Sequence, residues 1–246
     1  FEPFLSGFLT DGGQKHIARP VGLAVTRGGA LLVGDDANGG IYRVSYGAGK
    51  AAAATATVIP KQSLERQLTE GTGVPLALDR VSQAASFGIR SPAFQDGQAL
   101  SSRFSAYHEG LSPPLAWDAV PKAVTYVIIA EDPDSTPIKP FVHWVAWNIP
   151  ASVTSLPEGV QVQPRLTDPE GVLQGATSRG SVGYYGPRPP VGDPPHHYHF
   201  QVLALDRALD VRPGATRDEV LKGVKGHVLA KGVVVGTYQQ TDPPLK

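Results

Sequence analysis

Residues Val124 to Glu131 read Val-Thr-Tyr-Val-Ile-Ile-Ala-Glu, a run rich in β-branched side chains and apolar on both of its alternating faces. Such a run suits a central strand that is covered above and below, because a strand with one wet face alternates apolar with polar residues. Any fold that contains it needs packing layers on both sides. The run passes directly into Asp132-Pro133-Asp134. Pro133 disfavours helical backbone at the residue before it, so Asp132 stays extended at the end of the strand.

Two further strand-like runs, His143 to Ile149 and His196 to Leu205, each begin with a histidine. Side chains alternate across a strand, so the run from Val124 places Tyr126, Ile128, Ala130 and Asp132 on one face. The same reasoning groups His143 with Val145, Trp147 and Ile149, and His196 with Tyr198, Phe200 and Val202. Each strand then carries one ionisable residue at its end, level with a row of large apolar side chains. Where such ends converge they form a small polar pocket at the rim of a core. A carboxylate beside an imidazole selects its tautomer and favours the imidazolium, which can hold an anion. Between the second and third runs lies Gly183-Tyr184-Tyr185-Gly186-Pro187-Arg188-Pro189-Pro190. Its glycines allow close backbone approach, its prolines stiffen the loop, and Arg188 offers a charged donor. Phosphate or carboxylate is the ligand chemistry these parts suit.

Composition removes other classes. Lys plus Arg equals Asp plus Glu at 22 each, which leaves no overall field to attract nucleic acid or an anionic bilayer. No apolar run approaches the roughly 18 residues of a membrane span, so no stable membrane insertion is expected. With no cysteine there is neither disulfide nor thiolate metal site. Asp132, His143 and His196 alone make a poor metal set, because His199 falls on the other face of its strand from His196, and no metal or cofactor is expected. His197 and His199 are read as surface residues. Gly180-Ser181-Val182-Gly183 misses the Gly-x-Ser-x-Gly nucleophile spacing by one position. A pair of purely structural histidines is the plain alternative to a pocket.

Along the chain, residues 1–46 read as a β-meander, with strands at Val21 to Thr26, Ala30 to Gly34 and Ile41 to Tyr46. Residues 47–85 read as a linker that holds one short helix at Ser63 to Thr69, and residues 86–246 as the main domain. Thr216-Arg217-Asp218-Glu219 is a capping box, followed by Val220, Leu221 and Val224 at helical spacing.

Ser112-Pro113-Pro114-Leu115-Ala116-Trp117, Asp132-Pro133-Asp134, His143 to Pro150, Gly183 to Pro190 and His196-His197-Tyr198-His199-Phe200 together resemble the phosphatidylethanolamine-binding protein family. Ala204-Leu205-Asp206 and Gly226-His227-Val228-Leu229 resemble its bacterial branch. The resemblance implies a mainly β fold, an antiparallel β-sandwich with few short helices, here preceded by the N-terminal meander. It implies a non-enzymatic binding module that holds a small anion or phosphoryl head group through Asp132, Asp134, His143, Gly186, Arg188, Pro189, Pro190, His196 and Tyr198. It also implies a kinase or protease as the class of protein partner. Two departures stand out: Ser135-Thr136-Pro137 follows the Asp-Pro-Asp motif where the family reads Ala-Pro, and Arg188 stands where a small residue is common.

A second resemblance covers residues 1–46. Arg19 to Val25, Leu31 to Asp36 and Gly40 to Tyr46 are similar to the closing blade of pyrroloquinoline-quinone-dependent sugar dehydrogenase propellers. One blade cannot build a propeller cofactor site. The chain is therefore expected to be a C-terminal part of a fusion, with the dehydrogenase fragment as the alternative function and a periplasmic or secreted location, the cytoplasm remaining open. Anion binding is expected to need protonated His143 and His196 and to tighten from pH 8 to 6. His196→Ala is expected to remove binding with the fold nearly intact.

Overall fold

The structure is a computed structural model that describes residues 9–10, 15–16, 20–25, 31–35, 40–44, 75–81, 84–135 and 140–241. The expected helix at Ser63 to Thr69, the turns of the meander and the departure at Thr136-Pro137 lie outside the described residues. The chain divides into two units, Phe1–Arg66 and Gln67–Lys246. In the first, β1 (Leu9–Thr10) pairs with β2 (Lys15–His16). Strands β3 (Pro20–Val25), β4 (Leu31–Asp35) and β5 (Gly40–Val44) form an antiparallel sheet with β4 in the middle. Val33 on β4 is buried.

The second unit holds β6 (Ala85–Ser86), β7 (Ile89–Arg90), β8 (Gln98–Ala99), β9 (Leu115–Trp117) and β10 (Thr125–Asp132). It continues with β11 (Phe141–Pro150), β12 (Ser155–Leu156), β13 (Leu173–Gln174), β14 (His196–Leu205), the helix α1 (Arg217–Val224) and β15 (Val228–Tyr238). The main sheet runs β13-β11-β10-β14-β15-β6, with β8 also on β15. It is antiparallel from β13 through β15, but β6 and β8 join β15 in parallel, so the sheet is mixed where a wholly antiparallel one was expected. A smaller sheet runs β12-β9-β7.

Strand β10 lies between β11 and β14, and every one of its residues is buried. Its Tyr126, Ile128 and Ala130 pack with Leu115 and Trp117 of β9 and Leu156 of β12, so the small sheet covers one face. Its Val127 and Ile129 pack with Val220, Leu221 and Val224 of α1 and with Ala77, so the helix covers the other. The helix starts where the capping box placed it: Thr216 accepts from the Glu219 backbone N–H while Glu219 accepts from the Thr216 N–H.

Residues Ala77–Val81, inside the segment read as a linker, form a 3₁₀ helix held against this second face. Ala77 N–H donates to Glu131 Oε2 at 2.8 Å and Leu78 N–H to Gln201 Oε1 at 2.9 Å. Glu131 is fully buried and pairs with the Arg217 guanidinium, whose Nη2 also donates to the Pro75 carbonyl at 3.1 Å. Burial raises the Glu131 pKa, with Arg217, Gln201 and the Ala77 N–H pulling against it.

Candidate functional site

The three strand ends do converge, because β11 and β14 are the two neighbours of β10. The path by which His143 arrives differs from simple alternation. Ala130 pairs with Trp144 but Glu131 pairs with Val142, so His143 is an extra residue in a β-bulge. A second register shift lies between Tyr126 and Ile128, opposite Asn148, whose φ is 59°. Side-chain exchanges with Leu209 hold Asn148 there: its Nδ2 donates to the Leu209 carbonyl, and its Oδ1 accepts from the Leu209 N–H. Between the two shifts the alternation is offset by one. Val145 and Trp147 therefore pack on the helix side, while Trp144, Ala146 and Ile149 share the core beneath the small sheet. The expected grouping of His143 with Val145 and Trp147 is corrected accordingly. The His143 ring meets Tyr198 edge to face at 5.1 Å, on the side of Tyr126 and Phe200.

Asp132, Asp134, His143, His196 and Tyr198 are all buried. Asp132 Oδ2 accepts from His196 Nδ1 at 2.8 Å, and its Oδ1 accepts from the backbone N–H groups of Asp134 and Ser135 at 2.8 and 3.1 Å. That arrangement follows from Pro133, which turns the chain so that the aspartate collects the two amides beyond it. Asp134 Oδ2 accepts from both the backbone N–H and the Nδ1 of His197 at 2.8 and 2.7 Å. His197 is thus a half-buried partner of the site, correcting its reading as a surface residue, and His199 is half-buried as well. Because the His197 backbone also takes part, alternation alone gave no signal for it.

The two pocket histidines carry different charges. Burial opposes the proton on His196, but hydrogen bonding to Asp132, the Asp193 carboxylate and the charges of Asp132 and Asp134 outweigh it and raise its pKa to about 9. Its Nε2 is buried without a hydrogen bond, with Asp193 Oδ2 the nearest carboxylate oxygen at 3.6 Å. Burial lowers the His143 pKa, against the pull of Asp132 and the Tyr185 carbonyl. Neutral His143 donates from Nδ1 to that carbonyl at 2.7 Å, which leaves Nε2 as an acceptor. The Tyr198 hydroxyl and Asp134 Oδ1 are also buried without a hydrogen-bond partner.

The Gly183 to Pro190 loop forms the wall beside His143. The Tyr185 ring stacks on the His143 ring at 6.0 Å with an interplanar angle of 13°. Tyr107 donates its hydroxyl to the carbonyl of buried Pro189 at 2.7 Å, and half-buried Pro190 accepts from the Asp193 N–H at 3.2 Å. Arg188 is exposed and lies over the Tyr107 ring at 5.4 Å. Gly186 is a packing requirement, since a Cβ there would come 2.3 Å from the Phe104 carbonyl oxygen and 2.6 Å from the Ala106 nitrogen. Gly186→Ala should therefore push the loop off that backbone and cost about 1–3 kcal/mol, measured by chemical denaturation. A variant as stable as the parent would show that the loop yields freely.

Residues 90–239 match the phosphatidylethanolamine-binding protein family. The chain is 42% identical over 153 residues to the UPF0098 protein of Methanothermobacter thermautotrophicus, covering 62% of this chain and 98% of that relative. It is 34% identical over 157 residues to the UPF0098 protein of Chlamydia trachomatis, again over 62% of this chain and 98% of the relative. Among solved structures it is similar to a phosphatidylethanolamine-binding protein homologue from Chlamydia trachomatis, with a TM-score of 0.57 and 32% identity over 64% of this chain and 99% of the other. It is also similar to Escherichia coli YbcL, a member of the mammalian family, with a TM-score of 0.56 and 30% identity over 63% of this chain and 99% of the other. The order of the motifs, the sheet and these likenesses agree: the chain belongs to the phosphatidylethanolamine-binding protein family.

Proposed function

We propose that the second unit is a non-enzymatic binding module for a small anion or phosphoryl group, held between His196, His143 and Tyr198. The observation that carries this reading is His196 Nε2, a buried donor without a hydrogen-bond partner on a ring whose pKa is about 9. A charged donor kept dry and held by no hydrogen bond, with only the longer ion-pair contact to Asp193 at 3.6 Å, attracts an anion, because charge-assisted bonds gain most where water is excluded. His143 Nε2 supplies an acceptor opposite, which suits a phosphoryl group that still carries one proton. Asp132 orients His196 and does not touch the anion.

This division of roles moves the expected pH window. His196 stays charged through the range from pH 6 to 8, and His143 stays neutral over most of it. Inorganic phosphate binding should instead fall as pH rises from 8 to 10, a range above the second pKa of inorganic phosphate, in which the dianion prevails throughout. Histidine-resolved NMR titration with inorganic phosphate checks this, and the His196 resonances should titrate near pH 9 in the free protein. If neither histidine responds to phosphate, both are structural and the reading fails.

The dehydrogenase-fusion reading has one supporting feature, the sequential antiparallel order β3-β4-β5 in the first unit. Quinone- and calcium-dependent sugar oxidation by this chain would favour it over the binding module.

A further inference from the structure

Outside the buried pocket, two arginines meet on one tyrosine. Arg179 Nη1 donates to the Tyr185 hydroxyl at 2.8 Å, and its guanidinium carbon lies 5.1 Å from the ring centre. Arg188 lies over the ring of Tyr107, 5.4 Å from its centre, and the Tyr185 phenol is close enough to act on its charge. Among the described residues neither arginine forms an ion pair, whereas Arg80, Arg90, Arg103, Arg212 and Arg217 do; Arg165 and Arg207 also have none, but neither lies against a tyrosine ring. Both side chains are exposed, and the ring under Arg179 is the one stacked on His143. Two like charges close to one neutral phenol, with no carboxylate among the described residues paired to either, form a site for an anion.

We propose that Arg179, Arg188 and Tyr185 form a second anionic subsite that takes a carboxylate on a ligand whose phosphoryl group occupies the buried pocket. The substrate class is then a small molecule with a phosphoryl and a carboxylate group, in preference to one with a phosphoryl group alone. This rests on the pocket reading above. The sign of the preference is diagnostic, because the pocket already holds Asp132 and Asp134, with Asp193 beside His196. An added carboxylate on the ligand would weaken binding unless the two arginines receive it.

The test compares O-phosphoserine with phosphoethanolamine, which differ by one carboxylate, by isothermal titration at pH 7.5. O-phosphoserine should bind about tenfold tighter, and Arg179→Gln and Arg188→Gln should each reduce that ratio about threefold or more, as expected for loss of a charge-assisted contact. Arg207→Gln controls for net charge. It lies just beyond Leu205, at the opposite end of β14 from His196, and should leave the ratio unchanged. Glycerophosphoserine against glycerophosphoethanolamine repeats the comparison with lipid-type diesters, and the pair with the larger ratio identifies a free monoester or a head group as the source. If both members of each pair bind equally, or the ratio survives both substitutions, the subsite is overturned while the pocket stands. If no phosphoryl compound binds, the pocket reading falls and the subsite with it.

Discussion

Replacing Arg217 with alanine should destabilise the second unit by about 3–5 kcal/mol, because it leaves the Glu131 carboxylate buried without its cation. Glu131 has no exposed surface, and Arg217 retains only 7%. The carboxylate would keep the Gln201 amide and the Ala77 N–H, which offset a charge only in part. For a unit of this size the loss corresponds to a fall in Tm on the order of 10 °C, readable by circular dichroism. The raised pKa of Glu131 indicates that burial already costs more than its partners return, which leads to a second arm. Adding Glu131→Gln to Arg217→Ala removes the stranded charge while keeping groups for Gln201 and Ala77, so the double variant should regain a large part of the loss. A double variant as unstable as Arg217→Ala alone would mean that packing of the guanidinium matters, and the charge does not.

Asp132→Asn should move the whole pH dependence of the site. Without the carboxylate at Nδ1, the His196 pKa drops from about 9 toward the ordinary histidine value, so at pH 8 the ring is neutral and phosphate affinity falls about tenfold or more. Lowering the pH to 6 should restore much of it. Folding stability follows the same linkage. A folded pKa near 9 against ~6.5 in the unfolded chain gives the parent about 3 kcal/mol that is fully present below pH 6.5 and lost as pH rises through 9. The variant should lack most of that slope in urea titrations. Phosphate binding that still titrates near pH 9 in Asp132→Asn would show that Asp132 does not set the charge of His196. The companion substitution His196→Ala cannot leave the fold nearly intact, as its position at a strand end suggested. His196 is 2% exposed, and its removal strands Asp132 Oδ2 in the interior, so binding and stability should fall together.

The parts of this fold that were legible in the sequence are those with a local signal. Strand β14 begins and ends where the apolar run from His196 to Leu205 does, and α1 begins at its capping box. The row Tyr126, Ile128, Ala130 and Asp132 also lies as its alternation predicts, because β10 itself contains no extra residue. Alternation failed on β11, since a two-residue period carries no information about where a bulge inserts a third. Asn148 offered the one local hint, as asparagine tolerates positive φ better than most residues. The Glu131 and Arg217 pair, the Asp134 and His197 pair, and the docking of residues 75–81 join distant parts of the chain, and neither spacing nor composition records such meetings. The arginine pair at Tyr185 was half visible. Arg188 stood inside a recognisable loop, whereas Arg179 precedes it in an exposed turn with no motif of its own.

The parallel pairings of β6 and β8 have a consequence for how the second unit stays in solution. Strand β15 has 11 residues, and its outer side would otherwise present unpaired backbone groups together with Val233, which is 40% exposed. The short strands, with Gly97 N–H donating to the Val235 carbonyl and Asp96 accepting from the Val235 N–H, occupy stretches of that border. Bare borders of long strands recruit other chains by strand addition, which is the ordinary route to aggregation. A fragment cut to begin at residue 100 would keep the histidines and the pocket loop but expose this border, and would self-associate, whereas one begun at residue 75 would carry its own cover.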